Sequence, residues 1–100
     1  MAAEPAFAVT AGEPDTLRVS GTLGFATAAA ALAALRAGLR DGTRHTLDLA
    51  AVETCDSAGM ACLLAVLAEA RVQGRELTLE HVPTGLRTLA QVSGVDTLLG

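Results

Sequence analysis

Three times along this chain a short alternating apolar run gives way, within a few residues, to a longer run of helix formers. "TLRVSG" precedes "TAAAALAALRAGLRDG", "HTLDLAAV" precedes the stretch from Ala58 to Gln73, and "RELTLEHV" precedes "PTGLRTLAQVSG". A strand repeats every two residues and a helix every 3.6, so the two patterns separate cleanly. In the first helical run Leu32, Leu35 and Leu39 share one stripe; in the second, Met60, Leu63, Leu64 and Leu67 do. Leu17 and Val19 point opposite to Arg18 and Ser20, while Leu47 with Leu49 and Leu77 with Leu79 repeat the strand pattern. A leading "AFAVT" reads as a further strand. The turn formers of "AGEPDT" pair it with the next strand as an antiparallel hairpin.

The order is therefore strand, strand, helix, strand, helix, strand, helix. Short links between strand and helix predict parallel neighbours joined by right-handed crossovers. If each strand joins the same edge, the helices share one face. The opposite face then meets the apolar tail "VDTLLG", solvent or a partner. Gly38, Gly42 and Gly74 read as helix ends, and the last helix runs from a Pro to a Gly, the usual asymmetry. The expectation is an α/β fold: a single domain over residues 1–100 with a mixed four-stranded sheet and helices mainly on one face.

A chain of 100 residues can build such a core without metals or disulfides. With two Phe and no Trp or Tyr, that core must rest on Leu, Val and Ala. The formal net charge of −4 argues against nucleic acid and against direct binding to an anionic membrane. Aromatic platforms for stacking bases are also lacking. The longest uninterrupted apolar stretch, Met60 to Ala68, has nine residues, short of the roughly 20 that span a bilayer. "MAAEPAFAVT" has neither the basic residue nor the apolar run of a secretory signal. The expectation is a soluble, cytoplasmic protein without direct membrane insertion. Cys55 and Cys62 then read as reduced thiols; their spacing, with no His nearby, does not match a zinc site.

Catalysis needs convergent acids, bases or nucleophiles. His45 and His81 fall at strand edges, outside any recognisable motif with Ser57 or a cysteine, and read as surface residues. Asp48, Glu53 and Asp56 could in principle hold a divalent ion, but their spacing follows no known loop and reads as solvated charge. Neither a Walker lysine motif nor GxGxxG is present. No catalytic residue, metal or cofactor is expected. What remains is "ETCDSAGMACLL", Glu53 to Leu64. It lies at the carboxyl end of the third strand, where ligands meet open α/β sheets. The helix that starts there has unpaired backbone N–H groups and a positive local field. Ser57 or Asp56 can cap it, and Ser57 is chemically competent for phosphorylation.

From "LDLAAVETCD" to the end, the sequence resembles the STAS domains of anti-sigma-factor antagonists and transporter-associated proteins. In that family a strand ends in Asp-Leu, a Val follows, and Asp-Ser/Thr-x-Gly-Leu/Met opens a helix. A "G-x-x-L-x-L" strand and an "L-x-x-x-G-V/L-x-x-L/V" ending come after. Asp48, Leu49, Val52, Asp56, Ser57, Gly59 and Met60 fit the first part. Gly74, Leu77 and Leu79, then Leu89, Gly94, Val95 and Leu98, fit the rest. "VSGTL" is similar to the family's second strand, so the resemblance covers nearly the whole chain.

The resemblance implies one of two roles. In the antagonists the hydroxyl residue after the motif Asp is phosphorylated by an anti-sigma factor kinase, and Ser57 stands there. In the Mla phospholipid-transport ABC complex, which maintains outer-membrane lipid asymmetry, a lone STAS subunit binds the ATPase subunit, with the equivalent hydroxyl at the interface. The ending "LRTLAQVSGVDTLL" resembles that subunit, and "GTLG", with Thr22 and Gly24, replaces the acidic "GELD" pattern usual in antagonists. The expectation is a non-enzymatic subunit at the inner face of the inner membrane, held there by an ABC transporter ATPase. The partner-binding residues are Thr54, Asp56, Ser57, Ala58, Gly59, Met60 and Leu63, the last two as apolar contact or as core. The alternative is an antagonist switched at Ser57.

Overall fold

The computed structural model describes residues 7–11, 15–40, 44–95 and 97. β1 (Phe7–Ala11) and β2 (Thr16–Leu23) are followed by α1 (Ala28–Leu39), β3 (Thr46–Cys55), α2 (Ser57–Val72), β4 (Thr78–Glu80) and α3 (Thr84–Val92). The sheet order is β1-β2-β3-β4, antiparallel between the first two strands and parallel thereafter. Each new strand does join the same edge, so the mixed sheet carries its helices on one face. Leu17, Val19 and Leu23 of β2 and Leu47, Leu49 and Val52 of β3 are buried beneath them. On the other face Arg18, Thr22, Ala50, Ala51 and Glu53 are exposed and Ser20 is half-buried. Of the tail, Val95 packs against the core; residues 96 and 98–100 lie outside the described residues, as does Gly42.

The fully buried side chains of largest volume are six Leu and one Val: Leu23, Leu35, Leu47, Leu49, Leu63, Leu86 and Val19. This is the aliphatic core that the composition requires. The α2 stripe is broader than the predicted one. Met60 and Leu63 are buried and Leu64 and Leu67 half-buried, but Cys62, Val66 and Ala70 are buried too, because α2 also meets α1 and α3. No helix among the described residues is long and apolar enough to cross a membrane.

The boundaries move for physical reasons. β3 runs three residues past the expected Val52, and two irregularities in its pairing with β2 accommodate the extra length. At the first, the Asp48 carboxylate accepts a bond from the Ala50 N–H at 2.9 Å. That exchange diverts a backbone donor from the ladder and resets the alternation, so Leu47, Leu49 and then Val52 all face the core. β4 shrinks to three residues, paired only with Thr46–Asp48. Pro83 precedes the first turn of α3, and its carbonyl accepts from Arg87 N–H at 3.0 Å. Gly74 and Gly94 each adopt φ of 75° just past a helix, the left-handed stop that glycine allows. Gly38 is a correction: it lies inside α1. A Cβ there would approach Leu17 Cδ1 to 2.7 Å, so Gly38 lets α1 settle onto β2.

Candidate functional site

β2 and β3 are parallel and end side by side, Thr22 opposite Thr54 and Leu23 opposite Cys55. The Thr54 hydroxyl donates to the Thr22 hydroxyl at 3.1 Å. Both chains then turn into helices, and Asp56 fastens the two turns together. Its backbone N–H donates to the Leu23 carbonyl at 3.1 Å. Its Oδ1 accepts from the N–H groups of Ala58 (2.9 Å) and Gly59 (3.0 Å), and its Oδ2 from Phe25 N–H at 3.2 Å. Three backbone donors, Gly59 foremost, then Phe25 and Ala58, hold the carboxyl below the ordinary carboxylate range against a smaller opposing cost of desolvation.

Asp56 is thus the N-cap of α2. This settles the choice the sequence left open, and against the serine. Ser57 is the first helical residue, exposed, and its hydroxyl has no partner among the described residues. The reason is where β3 ends. Extended backbone continues through Cys55, which leaves Asp56, at φ −94° and ψ −172°, as the half-in residue whose side chain can fold back on the first turn.

Two glycines make the junction close. A Cβ on Gly59 would lie 2.2 Å from the Leu23 carbonyl oxygen, and one on Gly24 would lie 3.0 Å from Asp56 Oδ2. Thr27 is the one buried polar residue here. Its hydroxyl accepts from Gly24 N–H at 2.9 Å and donates to the Thr22 carbonyl at 2.9 Å, locking the turn from β2 into α1. That turn presents Phe25, 88% exposed, directly beside Asp56.

The predicted site residues therefore divide. Thr54, Asp56 and Ser57 are exposed, Ala58 is half-buried, and Gly59, Met60 and Leu63 are buried. Met60 and Leu63 take the core option of the two that were open. The hydrophobic element of the surface is Phe25, which sequence reasoning missed. The available signal was one of only two aromatics, placed in a turn rather than a strand.

Other candidates disperse. Asp48 spends its carboxylate on Ala50 N–H and on His81 Nδ1, 2.9 Å away, and both contacts depress its pKa. Asp56 is engaged by backbone, and Glu53 is exposed. These three acids are not brought together, and no group of three His, Cys, Asp or Glu among the described residues could hold a metal ion. Burial, aided by the nearby Asp56 charge, pushes the Cys55 thiol up to about 11, and burial raises Cys62 as well. At neutral pH both are thiols rather than thiolate nucleophiles.

Against this geometry the comparisons are specific. The STAS_2 family model, described as the Mlab STAS domain, matches residues 7–100. Among solved structures, the unphosphorylated anti-sigma factor antagonist SpoIIAA superposes with a TM-score of 0.69 at 18% identity, over 93% of this chain and 84% of that one. The phosphorylated form of SpoIIAA, a Bacillus cell fate determinant, gives 0.66 at 18% identity, over 93% and 87%. At that identity the likeness speaks for the fold. No protein with a curated description matches the sequence.

Proposed function

The chain belongs to the STAS family described by that model, and we propose that it is a non-enzymatic docking subunit for the ATPase of an Mla-type phospholipid-transport ABC complex. It works at the cytoplasmic face of the inner membrane through that partner, and its docking favours assembly or activity of the transporter. The observation that carries the reading is the exposed pair flanking Asp56. Phe25 offers an apolar knob and Ser57 an unengaged hydroxyl, on a turn that Asp56 and Thr27 already hold rigid. Rigid placement lowers the ordering cost of association, and a projecting aromatic is the common anchor of a protein interface. The family model is consistent with the Mla assignment. So is Gly24, which occupies an acidic place of the antagonist pattern and packs its backbone against Asp56.

A second reading, an antagonist that frees a sigma factor by sequestering its inhibitor, is favoured by one observation. The Ser57 hydroxyl is exposed and unpartnered at a helix start, open to a kinase, in a fold shared with SpoIIAA. Phosphorylation would add about −1.5 to −2 charges beside Asp56.

Affinity capture from the native host separates the two. Recovery of an ABC ATPase with the wild-type chain, lost with Ser57→Glu, supports docking at this site. Ser57→Glu should fold normally, since acidic residues suit a helix start. Recovery of an anti-sigma kinase without an ATPase overturns the Mla reading, and undiminished ATPase capture by Ser57→Glu moves the interface elsewhere.

A further inference from the structure

At the opposite end of α2 a cavity of about 260 Å³ opens between the carboxyl halves of α1 and α2 and the segment leading to β4. Four of the chain's seven cationic residues border it: Arg36, Arg40, Arg44 and Arg75. Glu69 and Glu76 are the acids among the described lining residues. Among the described lining residues the arginines thus outnumber the acids, in a protein whose net charge is −4.

Helix ends account for part of this. Carbonyls at a carboxyl end attract cations, and Arg75 Nη1 donates to the Leu39 carbonyl at 2.5 Å. Arg44 Nη1 likewise donates to the Thr16 carbonyl at 2.8 Å. These bonds fix where two guanidiniums sit. They do not account for the other two. Arg40 is exposed, and its side chain has no partner among the described residues. Arg36 is paired with Glu69 through Nε and Nη2, yet both side chains are about half exposed. Such a pair is weak and yields readily to a competing anion.

The floor of the hollow is apolar, built from Leu39, Val66 and Leu77. Its volume lies just below the usual range for small-molecule sites, which suits a short chain rather than a large ring system. A guanidinium presents paired donors that match a carboxylate or a phosphate oxygen edge.

We propose that this cavity binds a small organic anion: an acidic head on Arg36 and Arg40, and a short apolar body on Leu39, Val66 and Leu77. The head is a carboxylate or a phosphate monoester, two sources of the same recognition chemistry. The site is separate from the Ser57 surface. A helix of 16 residues rises about 24 Å, so occupancy at one end is readable without engaging the other.

The test uses the full chain, labelled for amide NMR and titrated with octyl phosphate, octanoate, inorganic phosphate and octanol. Saturable shifts are expected with octyl phosphate, octanoate or both, centred on Arg36 to Arg40, Val66 and Leu77 and absent around Ser57. Which head binds tighter identifies the source. Arg40→Glu should weaken binding about tenfold with only a small fall in thermal stability, the cost of an acid at the carboxyl end of α1, and Arg36→Gln should weaken it with Glu69 still in place. Four results overturn the proposal: no saturation at millimolar concentrations, equal binding of octanol, equal binding of inorganic phosphate, or unaltered affinity in Arg40→Glu.

Discussion

The two ends of α2 lie in opposite chemical surroundings. At its start a single carboxylate gathers backbone N–H groups from α2 and from the turn leading into α1. Near its far end guanidiniums reach backbone carbonyls and a glutamate. The end of α2 itself is closed by backbone, the Gly74 and Arg75 N–H groups donating to the Arg71 and Ala70 carbonyls. The carboxylate answers unpaired N–H groups at the start of α2, and Arg75 answers the Leu39 carbonyl at the end of α1. They differ in what they leave over. Asp56 is a short, fully committed side chain, so the surface around it is rigid, and Phe25 and Ser57 project from it unengaged. Arginines are long and have donors to spare, and at the far end they outnumber the acids among the described residues lining the hollow. On the two readings proposed above, one end meets another protein surface and the other holds a small anion.

The sharpest way to break this contrast is through two glycines, Gly59 in the first turn of α2 and Gly38 in the last turn of α1, next to Leu39 of the hollow. Gly59→Ala places a methyl group against the Leu23 carbonyl, which is backbone and has no rotamer to change. We expect a loss of about 3 kcal/mol in urea unfolding. Gly38→Ala meets only the tip of the Leu17 side chain, and alanine also improves helix propensity by about 1 kcal/mol. Its net effect should lie within about 1 kcal/mol of zero. If the two variants are equally damaging, the Asp56 end is no more tightly built than the other.

A second contrast separates binding from folding. Phe25→Ala should leave unfolding unchanged to within about 0.5 kcal/mol, because the ring is exposed. It should weaken capture of the partner about tenfold or more, as loss of an aromatic anchor does. Asp56→Ala should do the reverse of a pure surface change. It removes the cap and strands Phe25 N–H, lowering the thermal midpoint by roughly 5 °C and loosening the turn that presents the ring. pH offers a check on the same group. The folded-state pKa values of Asp56, Asp48 and Glu69 are all depressed. Their contribution is therefore present above the unfolded carboxylate values, near pH 4, and is lost as pH falls through the folded ones. Acid unfolding of Asp56→Asn should be less steep over that range than that of the wild type.

How far the sequence led, and where it stopped, follows from what is local. The alternation of strand and helix patterns, the leucine stripes and the short links needed only neighbouring residues, and they carried the fold. The resemblance carried the motif to Asp56 and Ser57. The assignment of the cap did not follow, because Asp and Ser are both good caps and the choice depends on where β3 stops. That stopping point depends in turn on the irregular pairing with β2, which no local pattern encodes. Gly38 reads as a helix end until Leu17 is known to press on it. Arg36 in α1 and Arg40 at its carboxyl cap are one turn apart and visibly share a face, but their convergence with Arg75 depends on the path from α2 to β4. The exposure of Phe25 is a property of the finished turn.

The smallest expected effect bears on the comparison most directly. α1 and α2 are tied at both ends by polar contacts: Phe25 N–H to Asp56 near their starts, and Arg36 to Glu69 towards their far ends. The first is a backbone donor held in place by the fold. The second joins two long side chains, 53% and 40% exposed, each of which loses rotamer freedom to form it and is screened by salt. Its short contact, 2.6 Å from Nη2 to Oε2, reports good geometry but not a large contribution. Arg36→Gln should therefore shift the thermal midpoint by about 2 °C or less at low salt, and by less still at high salt. A fall as large as that of Asp56→Ala would mean that the arginine end clamps the helices as firmly as the carboxylate end does. In that case Arg36 could not yield to an incoming anion without loosening the fold, and the affinity for an anion there would be lowered by that cost. The contrast between a rigid end and an adaptable one thus rests on this pair being weak.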